Sequence, residues 1–535
     1  MTEQRYYPFF LTALCILLFL PGLGARDFWA PVEPRYAEIA RVMFAKNEWL
    51  VPTVNGDLYT DKPNLYFWLA LIAAKIGGGV SEWTVRLPAA LGGAGFVLAT
   101  YFIGRDFFSP RVGFIGAAVL ATCVRVIWES RWAHVDMLFV CFFVLSIYFG
   151  ARTLLRKGGP QEILLAYAFM GLATLTKGLI GVVLPGLIFV AFMIARRDWR
   201  MIVDAKLPLG MAIFFLVAAP WFYLVNQATG GKWLSDFIYI HHLKRYTAGA
   251  GHRQPFYYYF TTLPADFLPW TIFALPALVA YRPYRRVWAD PVVQFFCLWF
   301  LVVFIFFSVS DTKRDLYLLP LLPTLALLVG NYFNALATNT LPHDALLHWV
   351  AMVFFTIVGL FSLTLPVIAW VVRPDAWRAI LPSSVVLAAG GISAALFAWQ
   401  RRALKTCVAV AAMMVTSVIS ASYGIFPYLE PFKSDRPFSL AIKRLVPPSA
   451  PLYVYADTMN DFNYYSEREM ISVLASPAQA EGLRQRQEQS YLLIKDRDLK
   501  KLAAIPADWI VASDSRGNRT WYLIEFNRRA FAKPS

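Results

Sequence analysis

Long apolar runs alternate with short basic connectors through most of this chain. A run of about 20 apolar residues, or fewer where neighbouring helices cover it, crosses a bilayer. On that length the pattern predicts thirteen spans, near 8–24, 83–104, 112–127, 134–151, 163–177, 178–195, 207–226, 264–280, 292–309, 316–332, 347–371, 380–399 and 407–425. Alternation puts the connectors 105–111, 152–157, 196–206, 282–286 and 401–405 on the side of the N-terminus. All five carry Lys or Arg, which makes that side cytoplasmic by the positive-inside rule and sends the C-terminus to the opposite face. The connector at 333–346 has neither residue. The outer face then receives the first loop (25–82), the long loop 227–263 and two short loops at 128–133 and 310–315.

Two regions depart from this rhythm. Inside the first loop, 35–46 and 64–77 are amphipathic pieces, too short or too polar to span, and they are expected to lie in the membrane interface. After the membrane part (1–435), strand-like runs appear at LYVYA (452–456), SYLLIK (490–495) and WYLIEF (521–526), with a helical stretch near 477–487. They predict a small soluble α/β domain over 436–535. No duplicated half of the secondary-transporter kind is visible.

Composition agrees with a polytopic α-helical membrane protein: 58% of the 535 residues are hydrophobic, 16% are charged and mean hydropathy is +0.51. The net charge of +16 is concentrated at the ends of apolar runs. There it meets anionic headgroups, so nucleic acid is not an expected partner. The five cysteines lie in apolar runs without paired spacing, which points to packing rather than a disulfide or zinc-thiolate frame.

Polar chemistry is confined to few places. Arg26–Trp68 carries Arg26-Asp27, Glu33-Pro34-Arg35-Tyr36, Glu38, Arg41 and Asp61-Lys62-Pro63 beside a membrane, where ionisable groups are costly unless they have a task. Further outward groups are Arg131, His134 and Asp136; the stretch 241–259 with Lys244, Arg245 and Arg253; and SDTKRDLY at 310–317. Brought together, they would form a pocket of mixed charge in which cations hold a phosphate and a carboxylate takes a proton from an attacking hydroxyl. A phosphate site beside lipid suits a phospholipid or a polyprenyl phosphate. The plainer readings are a solvated amphipathic helix for Glu33 and Arg35, an N-terminal helix cap for Asp136, and interfacial anchors for Lys62, Lys313, Arg314 and Tyr317. Lys177, in LTKGLIG, reads first as part of a loop between two spans and second as an electrostatic aid.

Six segments, PVEPRYAEIARVM, NEWLVPTVNG, YTDKPNLYFW, LATLTKGLIGVVLP, HHLKRYTAGAGHRQPFYYY and DTKRDLYLLP, occur in an order and spacing that resemble a known family. It is the superfamily of lipid A 4-amino-4-deoxy-L-arabinose transferases and protein O-mannosyltransferases, of GT-C architecture. The resemblance implies a bacterial inner-membrane enzyme with a periplasmic active site. It would transfer a sugar, with inversion, from a polyprenyl-phosphate carrier to lipid A or another envelope acceptor. On matched positions it implies that Lys62 contacts the carrier phosphate with Tyr317 nearby, that Asp136 is a second membrane-mouth acid, and that Asp61 with His242 could bind a divalent metal ion. Where relatives carry Asp-Glu in the first loop, this chain has Val32-Glu33, which leaves Glu33 as the expected general base and Asp27 as its substitute. Arg35, Tyr36, Arg245, Lys313 and Arg314 complete the expected substrate contacts. No cofactor beyond that metal is implied, and the chain is expected to act as a monomer. Protein O-glycosyl transfer, transport of a phosphorylated lipid, and a receptor built on 436–535 are the competing functions.

Overall fold

The structure is a computed structural model, and it describes residues 3–240, 253–281, 288–341, 345–457, 460–485, 488–502, 504–516 and 519–527. The chain divides into two compact units. The first comprises Met1–Leu23, Thr60–Tyr66 and Arg86–Phe426; the second comprises Gly24–Tyr59, Phe67–Val85 and Pro427–Ser535.

The first unit is helical throughout. Among the described residues eight helices are long and apolar enough to cross a membrane, or ten if each of two bent pairs is one span. The chain is therefore a polytopic helical membrane protein. Three other expected spans are shorter helices: α1 (Tyr7–Phe19), α8 (Glu162–Lys177) and Ile180–Arg196, of 13, 16 and 17 residues. One bent pair is α5 (Pro110–Ala121) with α6 (Val124–Ser130), at 66°, and the other is Tyr258–Asp266 with Thr271–Tyr281, at 105°. A break in a helix frees backbone groups that lipid cannot satisfy. Here the two breaks satisfy each other: the Val124 N–H donates to the Leu268 carbonyl at 2.9 Å, and the Trp270 indole N–H donates to Thr122 Oγ1 at 3.0 Å. Between α4 (Glu82–Phe107) and α5 the backbones nearly touch at Gly104 and Gly113. A Cβ on Gly113 would stand 2.5 Å from the Tyr101 carbonyl oxygen, so only glycine permits this approach.

In the second unit an interfacial-length helix, α2 (Glu33–Ala45), packs on the short helix Asp461–Ser466. Strands β1 (Thr53–Val54) and β2 (Asp57–Leu58) make a tight hairpin whose Asn55 and Gly56 both have positive φ, the Asn-Gly signature of such turns. Helix α3 (Leu65–Gly77) follows. The C-terminal residues build a five-stranded sheet from β3 (Leu452–Tyr455), β4 (Ser472–Leu474), β5 (Ser490–Lys495), β6 (Ile510–Arg516) and β7 (Arg519–Phe526), in the order β4-β3-β5-β7-β6. β3 pairs in parallel with β4 and β5, whereas β7 runs antiparallel to β5 and β6. Alternate side chains feed two cores: Leu452, Val454, Leu493 and Leu523 on one face, Tyr453, Leu492, Ile494 and Phe526 on the other.

Candidate active site

The site is built on a helical hairpin. Helix α7 (Asp136–Leu154) runs back along α8, so the first residue of α7 lies beside the last residue of α8. Asp136 sits at a helix N-terminus and Lys177 at a helix C-terminus, where the helix dipoles favour those signs. Gly178, at φ +97°, stops α8 immediately after Lys177 and donates its N–H to the Thr174 carbonyl at 2.8 Å. The Lys177 ammonium is hydrogen-bonded to Asp136 Oδ1, and its Nζ lies 5.0 Å from the centres of both the Phe139 and the Tyr317 rings.

Two more cations act on that ammonium, those of Lys62 and Arg314. Lys62 donates to the carbonyl and to Oδ1 of Asp61, each at 3.0 Å. The Arg314 guanidinium has no ion pair among the described residues, while its carbonyl accepts from the Tyr259 hydroxyl at 3.2 Å. Arg314 and Tyr317 are half-buried, so both can meet a ligand. Lys313 points elsewhere. It is 5% exposed, and its ammonium donates to the carbonyls of Ser310 (2.5 Å) and Gln254 (3.1 Å), which pins the loop that carries Arg314.

On the other side of Asp136 lies an acid-rich network. His134 Nδ1 abuts Asp136 Oδ2 and is 3.8 Å from Glu129 Oε2. Arg125 bonds Glu129 at 3.1 Å and Asp266 at 2.6 Å, and also reaches Asp315. Sequence reading left out Arg125, Glu129, Asp266 and Asp315, and it ranked Lys177 low. A charged residue in the last turn of an apolar helix, with an acid opening the helix before it, was the one signal for Lys177.

Glu33, Asp27, Tyr36 and Arg35 belong to the second unit. Glu33 is fully buried, and both its oxygens are occupied: Arg26 donates at 2.5 and 3.1 Å, and the Trp29 N–H at 3.1 Å. Asp27 accepts from Ser434 Oγ at 2.6 Å and from Arg436 at 2.9 Å. Tyr36 is 3% exposed, with its ring centre 5.3 Å from that of Phe67. Arg35 is half-buried and makes no ion pair among the described residues, its charge acting on the buried Asp461. Burial raises the carboxyl of Asp461 well above the usual range and lifts Asp435 too, against the pull of Arg516. It also pushes Glu38 up to about 7 against the pull of its Arg41 partner. Arg245 and His242 lie outside the described residues. No cluster of three or more His, Cys, Asp or Glu side chains is arranged for a metal ion among the described residues. Asp61, the other expected ligand, accepts from Lys62.

Comparison with known proteins shows what this arrangement is similar to. Residues 61–224 match the family model for dolichyl-phosphate-mannose-protein mannosyltransferase. An undecaprenyl phosphate-alpha-4-amino-4-deoxy-L-arabinose arabinosyl transferase of Shewanella sediminis is 27% identical over 466 residues, which is 85% of this chain and 83% of the relative. The crystal structure of ArnT from Cupriavidus metallidurans in the apo state superposes with a TM-score of 0.80 at 20% identity over 100% of both chains. The same protein bound to undecaprenyl phosphate gives 0.77 at 19% identity, covering 98% of this chain and 99% of that one. The fold is that of these ArnT structures, and the sequence is similar to the arabinosyl transferase over most of its length. Of the site described here, Lys62, Asp136 and Lys177 fall inside the stretch matched by the mannosyltransferase model, whereas Arg314 and Tyr317 lie beyond it. The similarity to the arabinosyl transferase, over 85% of the chain, also takes in the 310–317 loop.

Proposed function

We propose that the chain is an integral-membrane glycosyltransferase that moves a sugar, with inversion, from a polyprenyl-phosphate carrier to an envelope acceptor, lipid A being the acceptor class best supported by its relatives. One observation carries this reading: three cations, Lys62, Lys177 and Arg314, act on one place beside Tyr317, with Asp61 and Asp136 the acids joined to them among the described residues. Cations converging in excess of their acids suit a bound phosphate. As the bond between sugar and phosphate breaks, charge grows on the phosphate oxygens, and prearranged cations lower that barrier most because they need no reorganisation during the reaction. Lys62 and Arg314 hold the phosphate, Lys177 adds charge from behind and Asp136 fixes Lys177. Lys313 serves indirectly by anchoring the loop. In the second unit Asp27 and Glu33 hold the first loop in shape, and Arg35 is the side chain there able to meet an anion.

The same reading sets the topology. Thirteen passes result when the bent pairs each count once and the three short helices also cross, with the N-terminus cytoplasmic and the C-terminus periplasmic. Residues 1–435 then form the membrane catalytic part and 436–535 a soluble periplasmic domain, in a monomeric bacterial inner-membrane protein.

The experiment is Lys62→Ala in purified protein, supplied with a polyprenyl-phosphate-linked sugar and lipid A. Transfer is expected to fall by about 10²–10³, the loss typical of one prearranged donor. Unchanged transfer would remove Lys62 from the mechanism and the phosphate site with it.

A further inference from the structure

We propose that Arg125 is a positioning residue that keeps Arg314 available for the carrier phosphate by holding the Asp315 carboxylate, an inference that rests on the phosphate site proposed above. Arg314 and Asp315 are neighbours in the chain, and neighbours of opposite charge pair readily in this protein: Arg105 donates to Asp106 at 2.5 Å and Lys62 to Asp61 at 3.0 Å. Arg314 makes no such pair among the described residues, although its neighbour's side chain is 37% exposed. The carboxylate is engaged elsewhere. Its Oδ2 accepts from the Arg125 guanidinium of α6, and its Oδ1 accepts from the Leu316 N–H at 2.9 Å.

Arg125 is itself held in place. Its Nε and Nη2 donate to Asp266 Oδ1 at 3.0 and 2.6 Å, and its Nη1 donates to Glu129, one turn along α6, at 3.1 Å. Asp266 closes the helix Tyr258–Asp266 at the second bend, and its carbonyl accepts from Cys123 Sγ at the first bend, at 3.3 Å. The two bends thus make a fixed base from which one guanidinium reaches the loop. The charges of Arg125, Asp266, Asp315 and Arg314 all act on the Tyr258 hydroxyl, so the four groups share one neighbourhood.

Arg125 bonds three acids, which leaves it no surplus charge to offer a phosphate. Asp315 has a task where it stands, since its Oδ1 holds the Leu316 N–H at the start of the short 3₁₀ helix Asp315–Leu321 that carries Tyr317. A loose carboxylate at that position would pair with Arg314 or repel the phosphate, and both weaken anion binding. One clamp prevents both losses. Lys313 and Tyr259 fix the backbone around Arg314 through carbonyl groups, whereas Arg125 sets the charge beside it.

The test measures binding of a polyprenyl phosphate, without sugar, to the full-length protein in detergent. Arg125→Gln should weaken binding about tenfold, the loss of one charged contact, and adding Asp315→Asn should bring it back to within about twofold of wild type. In an Arg314→Ala background Arg125→Gln should cost less than about twofold more, because the group it protects is gone. Wild-type binding by Arg125→Gln overturns the proposal. So does a defect that Asp315→Asn leaves unrepaired or that persists in full beside Arg314→Ala, since Arg125 would then serve the fold alone. If Arg125→Gln does not fold, judged by its thermal unfolding midpoint, Asp315→Asn by itself decides: binding at wild-type strength or tighter supports the clamp, and a loss of about tenfold gives Asp315 a supporting role of its own and overturns it. Folded wild-type protein that binds no polyprenyl phosphate, or Arg314→Ala that binds it as wild type does, overturns the phosphate site itself and this inference with it.

Discussion

The hairpin of α7 and α8 carries a cluster of charged groups at each end, and the two clusters are built differently. At the loop end, Arg152 clasps Glu162 through two hydrogen bonds of 2.5 and 3.0 Å and also bonds Asp106, which in turn accepts from Tyr148 at 2.8 Å and Arg105 at 2.5 Å. Each guanidinium there has an acid of its own, and the cluster closes on itself. At the other end Asp136 and Lys177 pair, but among the described residues Arg314 adds a positive charge without a counter-ion and Lys62 adds another shared with Asp61. A closed set of charges fastens helices together. Like charges drawn to one place raise the energy of the resting protein, an arrangement that makes sense when an anion arrives to relieve it.

The contrast breaks most sharply if the surplus cations prove structural. Lys62→Ala combined with Arg314→Ala should lower sugar transfer by about 10⁴–10⁶, each contact supplying about 10²–10³ alone, while the thermal unfolding midpoint in detergent stays at the wild-type value. A lower midpoint with proportionate loss of folded protein would place these residues with the fasteners.

Asp136→Asn should act on both properties. It strands Lys177 in a buried site, and breaking a buried pair costs about 3–5 kcal/mol of stability. Adding Lys177→Met should recover much of that stability, measured by denaturant unfolding, without recovering transfer. At the loop end, Arg152→Ala should cost about 1–2 kcal/mol, the discount reflecting its partial exposure. The surviving folded protein should keep its kcat/KM.

The smallest effect separates the two compact units. The carboxyl of Glu38, raised by burial from 4.5 to about 7, stays protonated in the folded chain after the unfolded chain has released its proton. Its stabilising contribution is complete below about 4.5 and is lost as pH rises through 7. Asp461 and Asp435, raised by burial too, push the same way. The second unit should therefore melt earlier at pH 7.5 than at pH 5, and Glu38→Gln should flatten that slope in a thermal scan against pH.

Much of the membrane fold could be read from the chain because apolar length alone selects a span, and it selected every long helix found. The bends at Thr122–Cys123 and Phe267–Trp270 were invisible because apolar composition continues straight through both. In the C-terminal region LYVYA, SYLLIK and WYLIEF are strands, whereas β4 is three residues long and β6 alternates weakly, leaving no run to notice. The site was half legible. Lys62 and Tyr317 carried motif, but the pairing of Asp136 with Lys177 depends on two helix ends meeting 41 residues apart. The clamp on Glu33 depends on how Arg26 folds back over seven residues, which no periodicity encodes.

The bonds from Asp27 to Ser434 and Arg436 bridge as many as 409 residues of chain. A ribosome adding about 5–20 residues per second needs roughly 20–80 s to bring the second partner out after the first. For that interval the segment around Asp27 waits on the far side of its assembly without its anchors, exposed to proteases and to premature association. A messenger cut short anywhere before the codon for Ser434 would yield a membrane-inserted product in which Asp27 never finds these partners, and quality-control proteases would recognise it by that loop.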